Sequence, residues 1–274
     1  MSVPKRPSPP KARRPTSRLD MQSIFLAALI LGLCLPGGVR ADEVIIGGFS
    51  RLDPSRGLPD PWEQMVFPKI SRHTAYQLIR DGQKTVVQAV SAASASGLMN
   101  AYHAPAERHP WISWHWKIAH VLESGDVATR KGDDYAARIY VAFKYSPAGK
   151  SWLQKMQYHA ARLVAGDKLP GSAINYIWAN KAPVGTIVAN PYTDQTRMIV
   201  LQSGNAAAGR WIAEKRNLVR DYQAAFGLKP PPIMGIAIMT DTDNTAESTT
   251  AWYGDIILSD TDHRAPIQKW TGTN

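Results

Sequence analysis

The chain has 274 residues, 32 Lys+Arg against 22 Asp+Glu, and a single Cys, which excludes a scaffold stapled by disulfides within the chain. Seven of the basic residues and one acidic residue fall in residues 1–41, so the remainder carries 25 against 21, a net +4 rather than +10. A balance that small gives no basis for a nucleic-acid partner; it serves solubility, or a partner bearing carboxylate or phosphate.

Residues 1–20 are Pro-rich and basic, an uncharged apolar run extends from Met21 to Leu35, and Pro36-Gly37-Gly38 and Val39-Arg40-Ala41 follow. This order predicts a secretory signal peptide over 1–41 cleaved after Ala41, with an uncleaved anchor as the alternative. The run is shorter than the roughly 20 residues that span a bilayer, so no stable membrane insertion is expected after cleavage. Leu31-Gly32-Leu33-Cys34 loosely resembles a lipoprotein box, but Leu33 is bulky where a small residue is wanted. Arg13-Arg14 is not continued by Pro15-Thr16-Ser17 into a twin-arginine signal. A mature chain without Cys lacks thiolate metal sites and cysteine nucleophiles, and suits the periplasm of a Gram-negative bacterium or secretion.

Val44-Ile45-Ile46 opens the mature chain as a short strand closed by Gly47-Gly48. Residues 50–68, rich in Pro, Gly and charge, read as an irregular loop pinned by Trp62. Thr74 to Ile79 and Thr85 to Val90 flank Asp81-Gly82, a hairpin pattern. The Ala/Ser run 91–97 permits close backbone approach. In Pro110 to Ile118, alternation separates Ile112, Trp114, Trp116 and Ile118 from Trp111, Ser113, His115 and Lys117: one face core, the other polar.

The stretch Gly132 to Phe143 joins a charged turn to an alternating strand. Period two places Tyr135, Ala137, Ile139, Val141 and Phe143 on a core face, and Asp134, Ala136, Arg138, Tyr140 and Lys144 on the other. Ser151 to Asp167 has helical spacing. Strands resume at Ala173 to Trp178 and Arg197 to Gln202, and Asn217 to Phe226 is a short helix capped by Asn217 and stopped by Gly227. Two last strands, Ile233 to Thr240 and Thr250 to Ser259, flank Asp241-Thr242-Asp243-Asn244-Thr245. About eight short strands, one or two short helices and no linker predict an all-β fold, a single jelly-roll-like β-sandwich over 42–274, with a closed barrel as the alternative.

Thr74-Ala75-Tyr76 with Ser94-Ala95-Ser96-Gly97-Leu98, Trp114-His115-Trp116-Lys117, Gly132-Asp133-Asp134 with Ala137-Arg138, Ile174-Asn175-Tyr176-Ile177-Trp178 and Thr240 to Thr245 together resemble the DUF3047 family of exported bacterial proteins. That resemblance covers most of the mature chain. It implies a shape similar to carbohydrate-binding-module β-sandwiches and supplies no activity or catalytic residues to carry over.

Asp241, Asp243 and Asn244 offer a loop dense in oxygen ligands, as calcium requires. The twelve-residue calcium-loop pattern is absent, and Asx-turns explain the same residues. Asp133, Asp134, Asp241 and Asp243 are the acids and bases a polysaccharide hydrolase or lyase would use; a structural pairing with Arg138 is the equal alternative. No HExxH, nucleophile elbow, phosphate-cradling loop or dinucleotide fingerprint occurs. Apart from calcium, no cofactor is expected.

Three readings of function follow. The first is an exported, non-enzymatic sandwich binding a glycan or other envelope polymer through Trp111, His115, Arg138, Tyr140 and Trp178, because aromatic rings complement sugar faces. The second is the carboxylate enzyme, and the third a structural envelope protein. Arg138 carries a separate expectation. An unpaired buried guanidinium is too costly, and Asp134 is too far along the same strand, so a carboxylate is expected from a neighbouring strand or the Asp241–Asn244 loop.

Overall fold

The computed structural model describes residues 41–149 and 170–262, with Met156 between them. Residues 1–40 of the predicted signal peptide, Cys34 included, and the helix expected over 151–167, Met156 apart, lie outside the described residues. Among the described residues thirteen strands form two facing sheets. The six-stranded sheet runs β11 (Ile212–Asn217), β6 (Trp111–Ile118), β13 (Ser248–Ser259), β4 (Lys84–Ala92), β3 (Ala75–Asp81), with β1 (Glu43–Gly47) paired to the far end of β13. The seven-stranded sheet runs β2 (Trp62–Met65), β5 (Ala95–Ala104), β12 (Ile233–Asp241), β7 (Arg138–Phe143), β8 (Ser172–Ala179), β10 (Thr193–Ser203), β9 (Ile187–Asn190). All pairings are antiparallel except β8 with β10.

The expected sandwich is present, as a jelly-roll-like architecture with more strands than the sequence signalled. Loop 50–68 is a correction: it contains β2, whose Trp62 is buried and packs 5.2 Å from the Phe49 ring. Turn-rich composition hid a four-residue strand there because pairing with β5 supplies the order that local propensity does not.

Alternation on β6 holds. Ile112, Trp114, Trp116 and Ile118 face the core, where Trp114 stands edge-on to Trp116 at 5.4 Å and Trp116 lies 5.9 Å from Trp178. Such rings supply much of the core's burial, at roughly 25 cal/mol per Å² of apolar surface removed from water. The helix α1 (Leu218–Phe226) follows β11. The Asn217 side chain accepts from the Arg220 N–H, and Gly227 ends the helix at φ 71°, a left-handed conformation that glycine adopts without strain.

The Ala/Ser run is tight packing. Ser91, Ser94 and Ser96 are buried, and Ser91 Oγ lies 2.9 Å from Thr242 Oγ1, tying the β4–β5 connection to the loop after β12. That loop carries Asp241 to Thr245, so these hydroxyls fix where the acidic residues stand.

Candidate functional site

On β7, Ile139, Val141 and Phe143 point into the main core, whereas Arg138, Tyr140 and Ala142 point to the outer face of the seven-stranded sheet. Tyr135 was expected with Ile139, and this is corrected. Residues 133–137 precede the ladder, and Tyr135 joins Ile177, Ala179, Met198 and Val200 in a separate cluster on that outer side. The break is held by Thr240 Oγ1, which donates to the Ala136 carbonyl at 2.8 Å, and by Tyr253 Oη, which accepts from the Arg138 N–H at 3.3 Å.

Arg138 is only 1 % exposed. Its carboxylate comes from the end of β12, as the burial argument requires: Nε donates to Asp241 Oδ1 at 2.8 Å and Nη2 donates to Asp241 Oδ2, a bidentate fork. Nη2 also donates to the Asp133 carbonyl at 2.5 Å and Nη1 to Tyr140 Oη at 3.1 Å, while Asp133 Oδ1 lies 3.5 Å from Nη1. The Tyr135 ring lies 4.3 Å from the guanidinium carbon. Burial outweighs the Arg138 charge in setting the Asp241 carboxyl, and raises it well above the usual carboxylate range.

The acidic residues converge. One carboxylate oxygen each from Asp134, Asp241 and Asp243 lie within 4.8 Å of one another. Their oxygens are largely committed, however. Asp134 Oδ1 accepts from Asn244 Nδ2 at 3.0 Å, and Oδ2 accepts from the Thr245 N–H at 2.7 Å and the Thr245 hydroxyl at 2.8 Å. Asn244 Oδ1 in turn accepts from Tyr192 Oη at 2.6 Å. Both Asp241 oxygens are taken by Arg138. Calcium takes six to eight oxygen ligands, and Asp134 and Asp241 of this set already accept from protein donors. Asp243, half-buried, has its carboxyl raised, first by desolvation and then by Asp134.

Register places Asn175 of β8 opposite Tyr140, and Ile177 opposite Arg138. Asn175 is fully buried, and neither Oδ1 nor Nδ2 has a hydrogen-bond partner among the described residues. The Tyr135 hydroxyl is likewise buried and unbonded, and Asp133 Oδ1 is held only by its ion pair, while Asp133 Oδ2 accepts from Asn190 Nδ2 at 2.7 Å. Each such buried group costs about 1–3 kcal/mol if nothing bonds it. Other buried polar atoms lack a hydrogen-bond partner among the described residues, the Trp114 indole N–H in the core among them; beside Arg138 four such atoms come from three side chains, Asp133, Tyr135 and Asn175.

The other expected site residues lie elsewhere. Trp178 is a correction: its ring is packed in the core between the two sheets and its indole N–H donates to the Gly204 carbonyl at 3.0 Å, so it offers a ligand neither a ring face nor an unbonded polar atom. Trp111 and His115 stand on the outer face of the six-stranded sheet, across the sandwich from Arg138 and Tyr140, so these five residues do not form one site. Burial, with Lys84 adding to it, pushes the His115 imidazole down to about 4. Sequence reasoning missed Asn175, Asn190 and Tyr192 as site residues. For Asn175 a signal existed: an amide in the middle of an apolar strand, Ile174-Asn175-Tyr176-Ile177.

A cavity of about 390 Å³ opens elsewhere, lined by Ile46, Leu52, Pro61, Trp62, Asn100 and Tyr102 among others. Its polar groups are already partnered: Asn100 Nδ2 donates to the Ile46 carbonyl at 2.8 Å, and Tyr102 Oη lies 3.0 Å from His109 Nδ1. No helix among the described residues is long and apolar enough to cross a membrane.

No curated protein matches the sequence. Among solved structures, the chain is similar to the family 11 carbohydrate-binding module of a cellulosomal cellulase of Clostridium thermocellum, at 9% identity over 80% of this chain and 95% of that one, TM-score 0.41. A mutant of a carbohydrate-binding module of family 29 matches at 9% identity over 83% and 100% of the two chains, TM-score 0.34. The xyloglucanase domain of NopAA, an effector of Sinorhizobium fredii, in complex with cellobiose, matches at 8% identity over 76% and 100%, TM-score 0.33. With TM-scores below 0.5, these likenesses are too distant to transfer function. Residues 60–257 match the model of the family described as "Protein of unknown function (DUF3047)", and the chain belongs to that family.

Proposed function

We propose that this protein is an exported, non-enzymatic β-sandwich that binds a glycan or other envelope polymer on the outer face of its seven-stranded sheet, beside Tyr140 and Asn175. The observation that carries this reading is the Asn175 amide, buried with donor and acceptor both unbonded by any described residue. Buried polar atoms find partners in protein, water or ligand, and a hydroxyl pair of a sugar offers what a primary amide lacks: one acceptor and one donor side by side. Half-buried Tyr140 and Ala142 leave this face partly open. Export rests on the basic, apolar and small-residue order of residues 1–41.

The test is a glycan array, with pull-down on peptidoglycan and envelope polysaccharides, comparing wild type, Asn175→Leu and Trp111→Ala. Binding that Asn175→Leu weakens and Trp111→Ala leaves intact supports the reading. No binding to any polymer, or binding that only Trp111→Ala removes, overturns it.

The hydrolase or lyase reading has one observation in its favour, the convergence of Asp134, Asp241 and Asp243 within 4.8 Å. Against it, Asp134 and Asp241 spend both oxygens on protein donors, so neither is free to act as acid or base. Calcium is outside the proposal for the same reason.

A further inference from the structure

Resting on the binding reading above, we infer that the Arg138 site selects neutral glycans and rejects acidic ones. Acidic sugars are held in proteins by cations with free donors, above all by arginine forks. Arg138 is the cation of this site, and its donors are spent on its own protein. Nε and Nη2 go to Asp241, Nη2 also to the Asp133 carbonyl, and Nη1 to Tyr140 Oη, with Asp133 Oδ1 beside it.

The rim cation Arg130 is exposed and engaged in part. Its Nε donates to the Pro191 carbonyl at 3.0 Å and its guanidinium lies 5.3 Å from the Tyr192 ring. Around them stand four carboxyl groups, Asp133, Asp134, Asp241 and Asp243. Desolvation raises those of Asp241 and Asp243, and the neighbouring Asp134 and Asp133 add to it to a lesser degree.

The atoms left for a ligand are the Asn175 amide, the Tyr135 hydroxyl and Asp133 Oδ1. The amide and hydroxyl suit sugar hydroxyls, and the carboxylate oxygen takes a hydroxyl proton. A ligand carboxylate or sulfate set here would be stripped of water, gain none of the Arg138 donors and meet Asp133 at close range. The chain's overall positive charge does not alter this, because the like charges are local and the site is poorly screened by solvent.

The experiment uses matched pairs that differ in charge alone: hydroxyethyl against carboxymethyl cellulose, unsulfated against sulfated dextran, and methyl-esterified against free oligogalacturonate. Binding is measured by calorimetry or affinity electrophoresis on the full mature chain, with wild type and Asn175→Leu side by side; circular dichroism and melting confirm that the variant is folded. The expected result is Asn175-dependent binding of at least one neutral member, with its acidic counterpart at least tenfold weaker. Asn175-dependent binding of an acidic member as tight as its neutral partner, or tighter, overturns the inference while leaving the binding site in place. Acidic polymers bound equally by Asn175→Leu, or no polymer bound at all, overturn the underlying site assignment and this inference with it.

Discussion

On the outer face of the six-stranded sheet, Lys117 Nζ lies 4.6 Å from the Trp252 ring and 5.1 Å from the Trp211 ring, and pairs with Asp81 Oδ2 at 2.5 Å. Lys215 lies 5.2 Å from the Trp111 ring. On the outer face of the seven-stranded sheet Arg138 is buried, matched to two carboxyl groups, and set beside buried polar atoms of Asn175 and Tyr135 that no described residue bonds. The first face pairs its ions and rings within reach of solvent, where each pair is worth at most about 1 kcal/mol. The second has removed a charge network from water and left it incomplete. The sequence reading joined Trp111 and His115 of the first face with Arg138 and Tyr140 of the second in one sugar site, whereas the unbonded atoms around Arg138 belong to the second face alone.

Removing the buried cation is the sharpest way to break this contrast. Arg138→Met leaves Asp241 buried and uncompensated, with an expected loss of about 3–5 kcal/mol in denaturant melts. The deficit should shrink at acid pH as Asp241 takes up a proton. Arg138→Lys should recover part of it, because an ammonium cannot reproduce the fork.

The next effect belongs to the opposite face. His115 titrates near 4 in the folded protein, against about 6.5 for an unperturbed imidazole in the unfolded chain. The unfolded chain therefore binds more protons between those values, and stability falls as pH drops from about 6.5 toward 4. The full difference should reach about 2 kcal/mol once partial exposure is discounted. A melting-temperature series over pH should show this slope in wild type and a flatter one in His115→Gln. Smaller again is Asn217→Ala, which removes the cap of α1 and should cost about 1 kcal/mol without touching binding.

The sandwich was legible because β6, β12 and β13 carry their core residues at period two, and α1 because Asn217 and Gly227 bracket it. β2 was not legible, since its order comes from β5 rather than from its own residues. For the site, Arg138 announced itself as a mid-strand charge that needs a carboxylate from elsewhere, and Asp241 supplies it. Trp178 misled because alternation says which residues share a face, not which face is covered by a second sheet. Tyr135 misled because the ladder begins only at Arg138, three residues later than the alternation.

The measurement closest to the central claim pairs melting with binding in Asn175→Leu. Its amide makes no hydrogen bond to the described residues, so replacing it with an apolar side chain of similar size should leave the melting temperature unchanged or raise it, while glycan binding falls at least tenfold. A variant that melts several degrees lower yet binds as wild type would show that the amide serves the fold, and that the ligand sits elsewhere.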